Sequence, residues 1–388
     1  MDIFVILLFL FNGFIIFWAM IGYPLSLRLL YLILKPESLK KNYLNFPSVT
    51  ILVVAHNEEK VIRDKLTNLI QVSYPKDKIK ILVSSDNSTD NTNNIVKNFI
   101  KENPDFNIKL YEVEERKGKT NAQNKAQKII DTEFVIMTDA NSMFDNDAII
   151  ELMASFTSDE IAYVCGRLVY TNGDYNLTAE LESGYWDLEM QTRKIESDFQ
   201  TIIAGNGAIY AIRNKDYIDV NLIESHDSAF PYKYALLKKK ALFNESAIAY
   251  EKAGENIEDE FKRKVRMRRR ALTSSILRLK PLNIFKYKWF SFFYLGHRYS
   301  RDILWLAHLL LLITNVYLSF NYTLLLYILG MHLSFYFISL LQFMFNFNNK
   351  YMRFIYYYIV TLFAQYIGVF KELTGKSKPF WDKAESTR

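Results

Sequence analysis

The hydrophobic and polar positions divide the chain into two apolar ends and a mixed centre. Residues 3–21 are almost entirely apolar, and further apolar stretches cover about 303–318, 323–343 and 354–370. A run of about 20 apolar residues is long enough to cross the hydrocarbon core of a bilayer. The ends of the chain are therefore predicted to form membrane helices, whereas the centre has the shorter periodicities of a folded domain.

In the centre, short apolar runs alternate with segments that have helical spacing. Runs of strand length occupy 49–55, 79–83 and 108–113, and a fourth begins at Phe134. Strands that alternate with helices predict an α/β domain with a mostly parallel sheet. A polar cluster follows each run, so these clusters are expected along one edge of the sheet, where open α/β sheets bind ligands.

The fourth run leads directly into Asp139 and Asn141. The two residues are two positions apart, so both side chains can turn toward one face where the strand ends. Their hard oxygen donors suit Mg²⁺ or Mn²⁺ carrying a diphosphate. The alternative is a structural role, because Asp and Asn are also favoured at helix N-caps and in turns.

Charge and cysteine content narrow the class of protein. The basic residues Arg28, Lys35 and Lys40 follow the first apolar run, which predicts an external N-terminus and a cytoplasmic central domain. The single cysteine, Cys165, excludes an intramolecular disulfide framework. The sequence shows neither zinc-ligand spacing nor a basic DNA-binding helix, so no nucleic-acid partner is expected. A transporter is disfavoured because no charge pair interrupts the apolar spans.

Four central segments resemble, in the same order, the motifs of the family-2 inverting glycosyltransferases. Residues 48–59 are similar to the opening strand of that family, and 86–90 resemble its second nucleotide motif. Residues 118–124 resemble its Gly-Lys-x-x-Ala-Leu-Asn segment, with Gln123 in place of Leu, and 139–141 occupy the position of its DxD motif. The resemblance implies a GT-A nucleotide-sugar-binding fold.

The resemblance also implies a donor site for a nucleotide sugar, with UDP as the expected nucleotide. Lys119 would place a positive charge near the diphosphate; its alternative role is a solvated loop lysine. Asp139 and Asn141 would hold Mg²⁺ or Mn²⁺, although Asn141 replaces the second Asp and removes one charge. The residues expected to bind the donor are Ala55, Asn57, Glu58, Asp86, Lys119, Asp139 and Arg266.

The second half of the domain is expected to bind the acceptor. The resemblance implies that Trp186, Gly205, Asn206 and Gly207 line the acceptor site, and that Asp227 is the catalytic base. Asp227 could alternatively be the N-cap of the helix that follows it.

Two segments depart from the family pattern. His226 replaces the first acid of the pair that precedes the helix. Further on, Arg266 matches the diphosphate-binding Arg of the QxxRW helix, but the Gln and the Trp are absent, with Met267 at the Trp position.

The predicted organisation has five parts and leaves one conflict. Four membrane crossings would place the basic tail outside, against the charge rule, so one segment is expected to be re-entrant or interfacial. The five parts are a membrane and juxtamembrane helix (1–34), a cytoplasmic GT-A domain (47–272), an interfacial helix (281–301), further membrane segments (302–370) and the tail (371–388).

The predicted function is an inverting glycosyltransferase of the cell membrane. It would transfer a sugar to a lipid-linked or growing glycan acceptor at the cytoplasmic face, in contact with membrane lipids. A processive polysaccharide synthase is the first alternative, and Met267 argues against it. A catalytically inactive, nucleotide-binding membrane scaffold is the second, kept open by Asn141 and His226.

Overall fold

The computed structural model describes residues 2–172, 177–253 and 257–377. Internal contacts divide these residues into two units. The sheet unit comprises residues 35–253 with 283–290, and the helical unit comprises 2–34, 257–282 and 291–377. Residues 257–272, which the sequence predicts to end the cytoplasmic domain, therefore group with the helical unit.

The sheet unit is built on one eight-stranded sheet with the order β3-β2-β1-β4-β7-β6-β8-β5. The first four strands in this order are parallel, and the second half mixes parallel and antiparallel pairs. The strands are β1 (Val49–Ala55), β2 (Ile79–Ser85), β3 (Ile108–Glu112), β4 (Phe134–Asp139), β5 (Met143–Phe144), β6 (Ile161–Tyr170), β7 (Tyr210–Arg213) and β8 (Lys240–Glu251).

The sheet is covered on both faces, and this explains its continuous apolar strands. Every residue of β1 is buried, as a central strand between two helical layers requires. One apolar cluster lies around Ile51 and Leu66, and a second lies on the other face around Leu52 and Phe230.

The helices of the two units follow the predicted positions closely. The sheet unit contains α3 (Ile62–Ile70), α4 (Thr92–Glu102), α5 (Lys119–Gln127), α6 (Ala148–Ala154), α7 (Leu177–Phe199), α8 (His226–Leu236) and α10 (Ile284–Tyr287). The helical unit contains α1 (Asp2–Phe17), α2 (Tyr23–Leu34), α9 (Ile257–Met267), α12 (Ser300–Asp302), α13 (Leu304–Ser319), α14 (Thr323–Phe345) and α15 (Lys350–Leu373). Helix α11 (Trp289–Phe293) begins in the sheet unit and ends in the helical unit.

The structure differs from the single interfacial helix predicted for 281–301. The segment breaks into short helices and a π-helical turn over Tyr294–Tyr299. Phe293 and Tyr294 are fully buried, and the Tyr294 hydroxyl donates to the Ser275 carbonyl at 2.8 Å. Tyr287 and Phe290 are buried as well, whereas Phe285 is 96% exposed, so most but not all of the aromatic side chains in this segment pack into the protein.

Within the described part of the chain, three helices are long and apolar enough to cross a membrane: residues 2–34, 323–345 and 350–373. The pair 289–302 and 304–319, bent by 62°, would count as a fourth crossing if it formed one span. Helix α13 runs antiparallel to α1. Leu304, at its start, packs with Ala19, and Tyr317, near its end, donates a hydrogen bond to Asp2 at 3.1 Å.

Candidate active site

The ends of β1 and β2 meet at the buried carboxylate of Asp86. Its Oδ1 accepts a hydrogen bond from the Lys117 amide at 3.2 Å, and its Oδ2 accepts one from the Gly118 amide at 2.8 Å. Gly118 has a φ of +93°, a conformation suited to glycine, and directly precedes α5. Asp86 therefore fixes the loop that delivers Lys119 to this edge of the sheet.

Ala55, Asn57 and Glu58 lie at the end of β1 and in the loop that follows. The Ala55 carbonyl accepts a hydrogen bond from the first amide after β2 at 2.8 Å. Asn57 Oδ1 accepts from the Thr89 amide at 2.7 Å, and the Glu58 amide donates to Thr92 Oγ1 at 2.7 Å. These bonds join the loops after β1 and β2, so the predicted nucleotide-binding residues lie together.

An ion pair joins Lys119, the first residue of α5, to Asp139, the last residue of β4. Burial lowers the pKa of Lys119, but the carboxylates of Asp139 and Asp227 outweigh burial and leave that pKa raised. The amine is therefore charged and held in the site, and it is not the solvated loop side chain considered as its alternative.

Two oxygen-bearing side chains at the end of β4 could hold a divalent cation. Lys119 contacts one carboxylate oxygen of Asp139, Oδ1. The other oxygen of Asp139, Oδ2, faces Gly207, where a β-carbon would lie 3.1 Å from it. Asn141 is half-buried in the following turn. No group of three or more His, Cys, Asp or Glu side chains within the described ranges could hold a metal alone. One carboxylate and one amide oxygen fit Mg²⁺ or Mn²⁺, which take further oxygens from water and phosphates.

Asp227 lies in the first turn of α8. Burial raises the pKa of its carboxyl; Lys119 opposes this and Asp139 adds to it, and the result is a raised pKa. The residue before the helix is Ser225, so Asp227 is not the N-cap that the sequence offered as its alternative role. The Gly205 amide donates to the Asp227 carbonyl at 2.8 Å, and a β-carbon on Gly207 would lie 3.1 Å from both Lys119 Nζ and Asp139 Oδ2, so the predicted base and the predicted diphosphate site meet at the same loop.

The conformation of the segment 205–207 is set by two glycines and by the buried side-chain amide of Asn206. A β-carbon on Gly205 would lie 1.8 Å from the Tyr163 hydroxyl, and one on Gly207 would approach both members of the Lys119–Asp139 pair. Asn206 Nδ2 donates to the carbonyl of Gly166 at 2.7 Å, and its Oδ1 accepts from two backbone amides. The Asn206 side chain therefore holds the loop, and the glycines provide the open space.

Trp186, predicted to contact the acceptor, is only 9% exposed. The guanidinium of Arg193 lies 5.3 Å from its ring and is itself 3% exposed. Across the described ranges, Arg193 Nε and Nη1 and the Tyr163 hydroxyl have no hydrogen-bond partner. The charge of Arg193 opposes the raised pKa of Asp227. Arg193 was not identified as a site residue from the sequence. The feature that could have indicated it is a cation in the same helical stretch as Trp186.

His226, which replaces the first acid of the family pair, is a buried neutral residue. Its Nε2 lies 2.8 Å from both the Tyr217 hydroxyl and Asn124 Oδ1. Burial, together with Lys119 and Lys233, lowers the pKa of His226 to about 3. The departure therefore adds no charge beside Asp227.

Sequence reasoning also missed Lys65, a fully buried lysine on α3. Its Nζ donates to Thr138 Oγ1 at 3.0 Å and to the Ser142 carbonyl, and it lies 3.9 Å from the Phe144 ring. Burial lowers the pKa of Lys65 to about 7, although Asp139 and Glu251 act to raise it. One ammonium group thus binds both ends of the segment that carries Asp139 and Asn141.

Arg266 lies on α9 in the helical unit and is half-buried.

Comparison with known proteins identifies relatives of the central part of the chain. Residues 50–221 match the family described as Glycosyl transferase family 2. The probable glycosyltransferase YdaM of Bacillus subtilis is 35% identical over 126 residues, which are 32% of this chain and 30% of that protein. The poly-beta-1,6-N-acetyl-D-glucosamine synthase of Staphylococcus epidermidis is 31% identical over 117 residues, 30% of this chain and 27% of that protein. The beta-monoglucosyldiacylglycerol synthase of Nostoc is 27% identical over 153 residues, 38% of this chain and 33% of that protein.

The chain therefore matches about a third or less of the length of these curated relatives. A solved structure covers much more of the fold. It is the mannosyltransferase PcManGT from Pyrobaculum calidifontis in complex with GDP-Man and Mn²⁺, with a TM-score of 0.71 and 19% identity. The match covers 95% of this chain and 99% of that one, so the two share the GT-A fold, as predicted.

Proposed function

We propose that this chain is an inverting glycosyltransferase, with the family 2 match over residues 50–221 as its catalytic domain and Asp227 as general base. The observation that carries this proposal is the charge of Lys119, which is coupled to both Asp139 and Asp227. One cation therefore links the position of a donor diphosphate to the position of a base. An inverting transfer needs these two functions side by side.

The donor is assigned to the edge of the parallel strands, and UDP is the proposed nucleotide. Ala55, Asn57, Glu58 and Asp86 would form the cradle for the base and ribose, and Lys119 would pair with the diphosphate. This assignment is supported by the hydrogen bonds that join the loops after β1 and β2.

Asp139 and Asn141 would hold the divalent cation, Mg²⁺ or Mn²⁺. When bound there, the ion would stabilise the negative charge of the departing diphosphate.

In the reaction, the acceptor hydroxyl gives its proton to the Asp227 carboxylate as its oxygen attacks the anomeric carbon of the donor. The bond from that carbon to the diphosphate oxygen breaks, and its electron pair leaves with the nucleoside diphosphate. The raised pKa of Asp227 favours the base role, because a general base works best when its pKa lies near the working pH. Lys119 pairs with the diphosphate that departs.

The acceptor is proposed to be lipid-linked or a growing glycan, held beside Trp186 and the 205–207 segment (Gly205, Asn206, Gly207). Its hydroxyl would reach the cytoplasmic face of the membrane; the basic residues after α1 support a cytoplasmic position for the sheet unit. Single addition is favoured over processive synthesis because Met267 replaces the Trp of processive synthases.

The test is nucleoside diphosphate release by the purified protein in lipid vesicles. A panel of UDP-sugars and GDP-mannose is offered with Mg²⁺ or Mn²⁺ and a membrane lipid extract as acceptor. One donor is expected to turn over, with inverted anomeric configuration in the product by NMR. The Asp227→Asn variant is expected to lose about 10²–10⁴-fold in turnover while it still binds the donor.

The matched control is Asp219→Asn, the same chemical change at an exposed carboxylate eight residues earlier. It is expected to leave turnover unchanged. Turnover that survives in Asp227→Asn, or a product of retained configuration, would contradict the proposed mechanism. Turnover with GDP-mannose alone would correct the proposed nucleotide and leave the base assignment intact.

A further inference from the structure

Helix α15 meets the length and hydropathy requirements of a membrane span, yet its contacts place it beside charged polypeptide. The Tyr357 ring lies 4.5 Å from Lys264 Nζ, and the Phe363 ring stacks on Phe261 at 6.3 Å. Both partners lie on α9, in which seven of eleven residues are charged. A helix of this composition cannot lie in the hydrocarbon core without a large energetic cost.

The C-terminal end of α15 continues along the polypeptide that follows α9. The Glu372 carboxylate accepts hydrogen bonds from the amides of Leu272 at 2.8 Å and Thr273 at 3.0 Å. Gly368 packs so closely that a β-carbon there would lie 2.8 Å from Arg268 Cβ. From Tyr357 to its last turn, α15 therefore packs along residues 261–273. At 1.5 Å per residue, this part of α15 is about 24 Å long.

The other contacts of α15 are with the bundle formed by α1, α13 and α14; near the start of α15, the Tyr358 ring lies 6.0 Å from that of Phe335, at the middle of α14. Leu362 packs with Leu304, the first residue of α13, and the Tyr366 ring lies 5.7 Å from that of Trp305. The opposite end of this bundle is marked by the hydrogen bond from Tyr317 to Asp2. A helix that crossed the bilayer would pass from one end to the other, whereas from Leu362 onward α15 meets the bundle at the end where α13 begins.

We propose that α15 lies on the membrane surface, paired with α9, and does not cross the bilayer. Its lipid-facing surface is the exposed stripe formed by Tyr366, Phe370 and Leu373, bordered by the partly exposed ring of Phe363 that stacks on Phe261. Aromatic side chains favour the headgroup region of a bilayer. The exposed Lys371 at the end of the helix complements anionic phospholipid, which is the partner that this surface fits.

This placement resolves the topology conflict found in the sequence. The crossings become three: the helix that begins with α1, the bent pair that contains α13, taken as one span, and α14. The tail then returns to the side of α9. Only residues 252–256 separate β8 from α9, and five residues extend at most about 18 Å, too short to cross a core of about 30 Å. Lys371 and Lys376, basic residues at and just after the end of α15, are therefore expected on the same side of the membrane as α9, in agreement with the charge rule.

The test is labelling of single introduced cysteines with a membrane-impermeant maleimide, in intact cells and in inverted vesicles. The native Cys165 is fully buried and gives little background. The three probes are exposed positions: Ser38→Cys after α2, Asn321→Cys between α13 and α14, and Thr374→Cys after α15. Thr374→Cys is expected to label from the same side as Ser38→Cys, and Asn321→Cys from the other side.

Labelling of Thr374→Cys from the same side of the membrane as Asn321→Cys would show that α15 crosses the bilayer and would overturn the proposal. Depth is measured separately with a nitroxide on Phe370→Cys, in phosphatidylcholine vesicles containing phosphatidylglycerol. The spin label is expected at headgroup depth. A label at the bilayer centre would equally contradict the surface placement, and neither result depends on the transfer reaction.

Discussion

The two halves of the sheet unit are built in different ways. In the donor half, β3, β2, β1 and β4 are parallel, and polar side chains follow their ends. There, Lys119 and Asp139 keep about a quarter to a third of their side chains exposed. In the acceptor half, strand directions are mixed and the polar side chains are mostly internal: Asn206 is 2% exposed and Arg193 is 3% exposed.

The difference shows how each half prepares for its ligand. Exposed charges at strand ends can exchange partners, so Lys119 can pair with Asp139 before the donor arrives and with a diphosphate afterwards. Buried amides such as Asn206 cannot exchange partners without cost, because a buried unpaired polar group is destabilising. We therefore expect substitutions in the donor half to affect ligand affinity and those in the acceptor half to affect stability as well.

The largest effect is expected for Lys119→Met, which removes the exchangeable cation. Hydrogen bonds to charged groups contribute about 1.5–3 kcal/mol, so donor affinity should fall roughly 10- to 150-fold by calorimetry. Thermal stability should change little. The control is Lys128→Met, at the exposed C-terminal end of the same helix. Unchanged donor affinity in Lys119→Met would show that this lysine serves only Asp139.

The next effect is expected for Gly205→Ala, in the acceptor half. The new methyl group would overlap the Tyr163 hydroxyl, and overpacking of this kind costs about 1–3 kcal/mol. Both the free energy of unfolding and the transfer rate should fall. Combination with Tyr163→Phe should restore part of the stability. The matched control is Gly330→Ala, where a β-carbon meets nothing within 4 Å. Equal stability of the two alanine variants would refute the proposed contrast between the halves.

A smaller effect is expected for Lys65→Met, which tests the support beneath the donor half. The methionine keeps the apolar packing but releases both ends of the Asp139–Asn141 segment. Loss of such supporting contacts weakens metal sites about 10-fold or more, so Mn²⁺ affinity by electron paramagnetic resonance should fall about 10-fold. Lys65→Arg should retain part of it. Lys80→Met, which removes a surface ion pair, is the control. If Lys65→Met bound Mn²⁺ normally, Lys65 would have only a packing role.

The donor half could be predicted from the sequence because its information is local. Each motif directly follows an apolar strand, so Asp86, Lys119 and Asp139 could be placed at one edge before the structure was known. In the acceptor half the contacts join distant segments. No local pattern shows, for example, that His226 is buried and neutral. Lys65 is the exception in the donor half, because nothing near it in the chain indicates that it binds residues 138 and 142.

The membrane helices could be predicted from the sequence only in part. Hydropathy located α13, α14 and α15 closely, but it could not show which of them crosses the bilayer. That information lies in side-to-side contacts, such as that of Glu372 with the amides of Leu272 and Thr273, which hydropathy does not contain.

The most direct test of the central claim, that Asp227 is the base, is the pH dependence of turnover at saturating donor and metal. The base must be ionised to accept a proton, and burial raises the pKa of Asp227. Turnover should therefore fall as the pH drops through a value above the ordinary Asp pKa of about 3.9. His226 cannot supply this transition, since its pKa is lowered to about 3. The residual turnover of Asp227→Asn should lack the transition. If the same transition persisted in that variant, the base would be another residue.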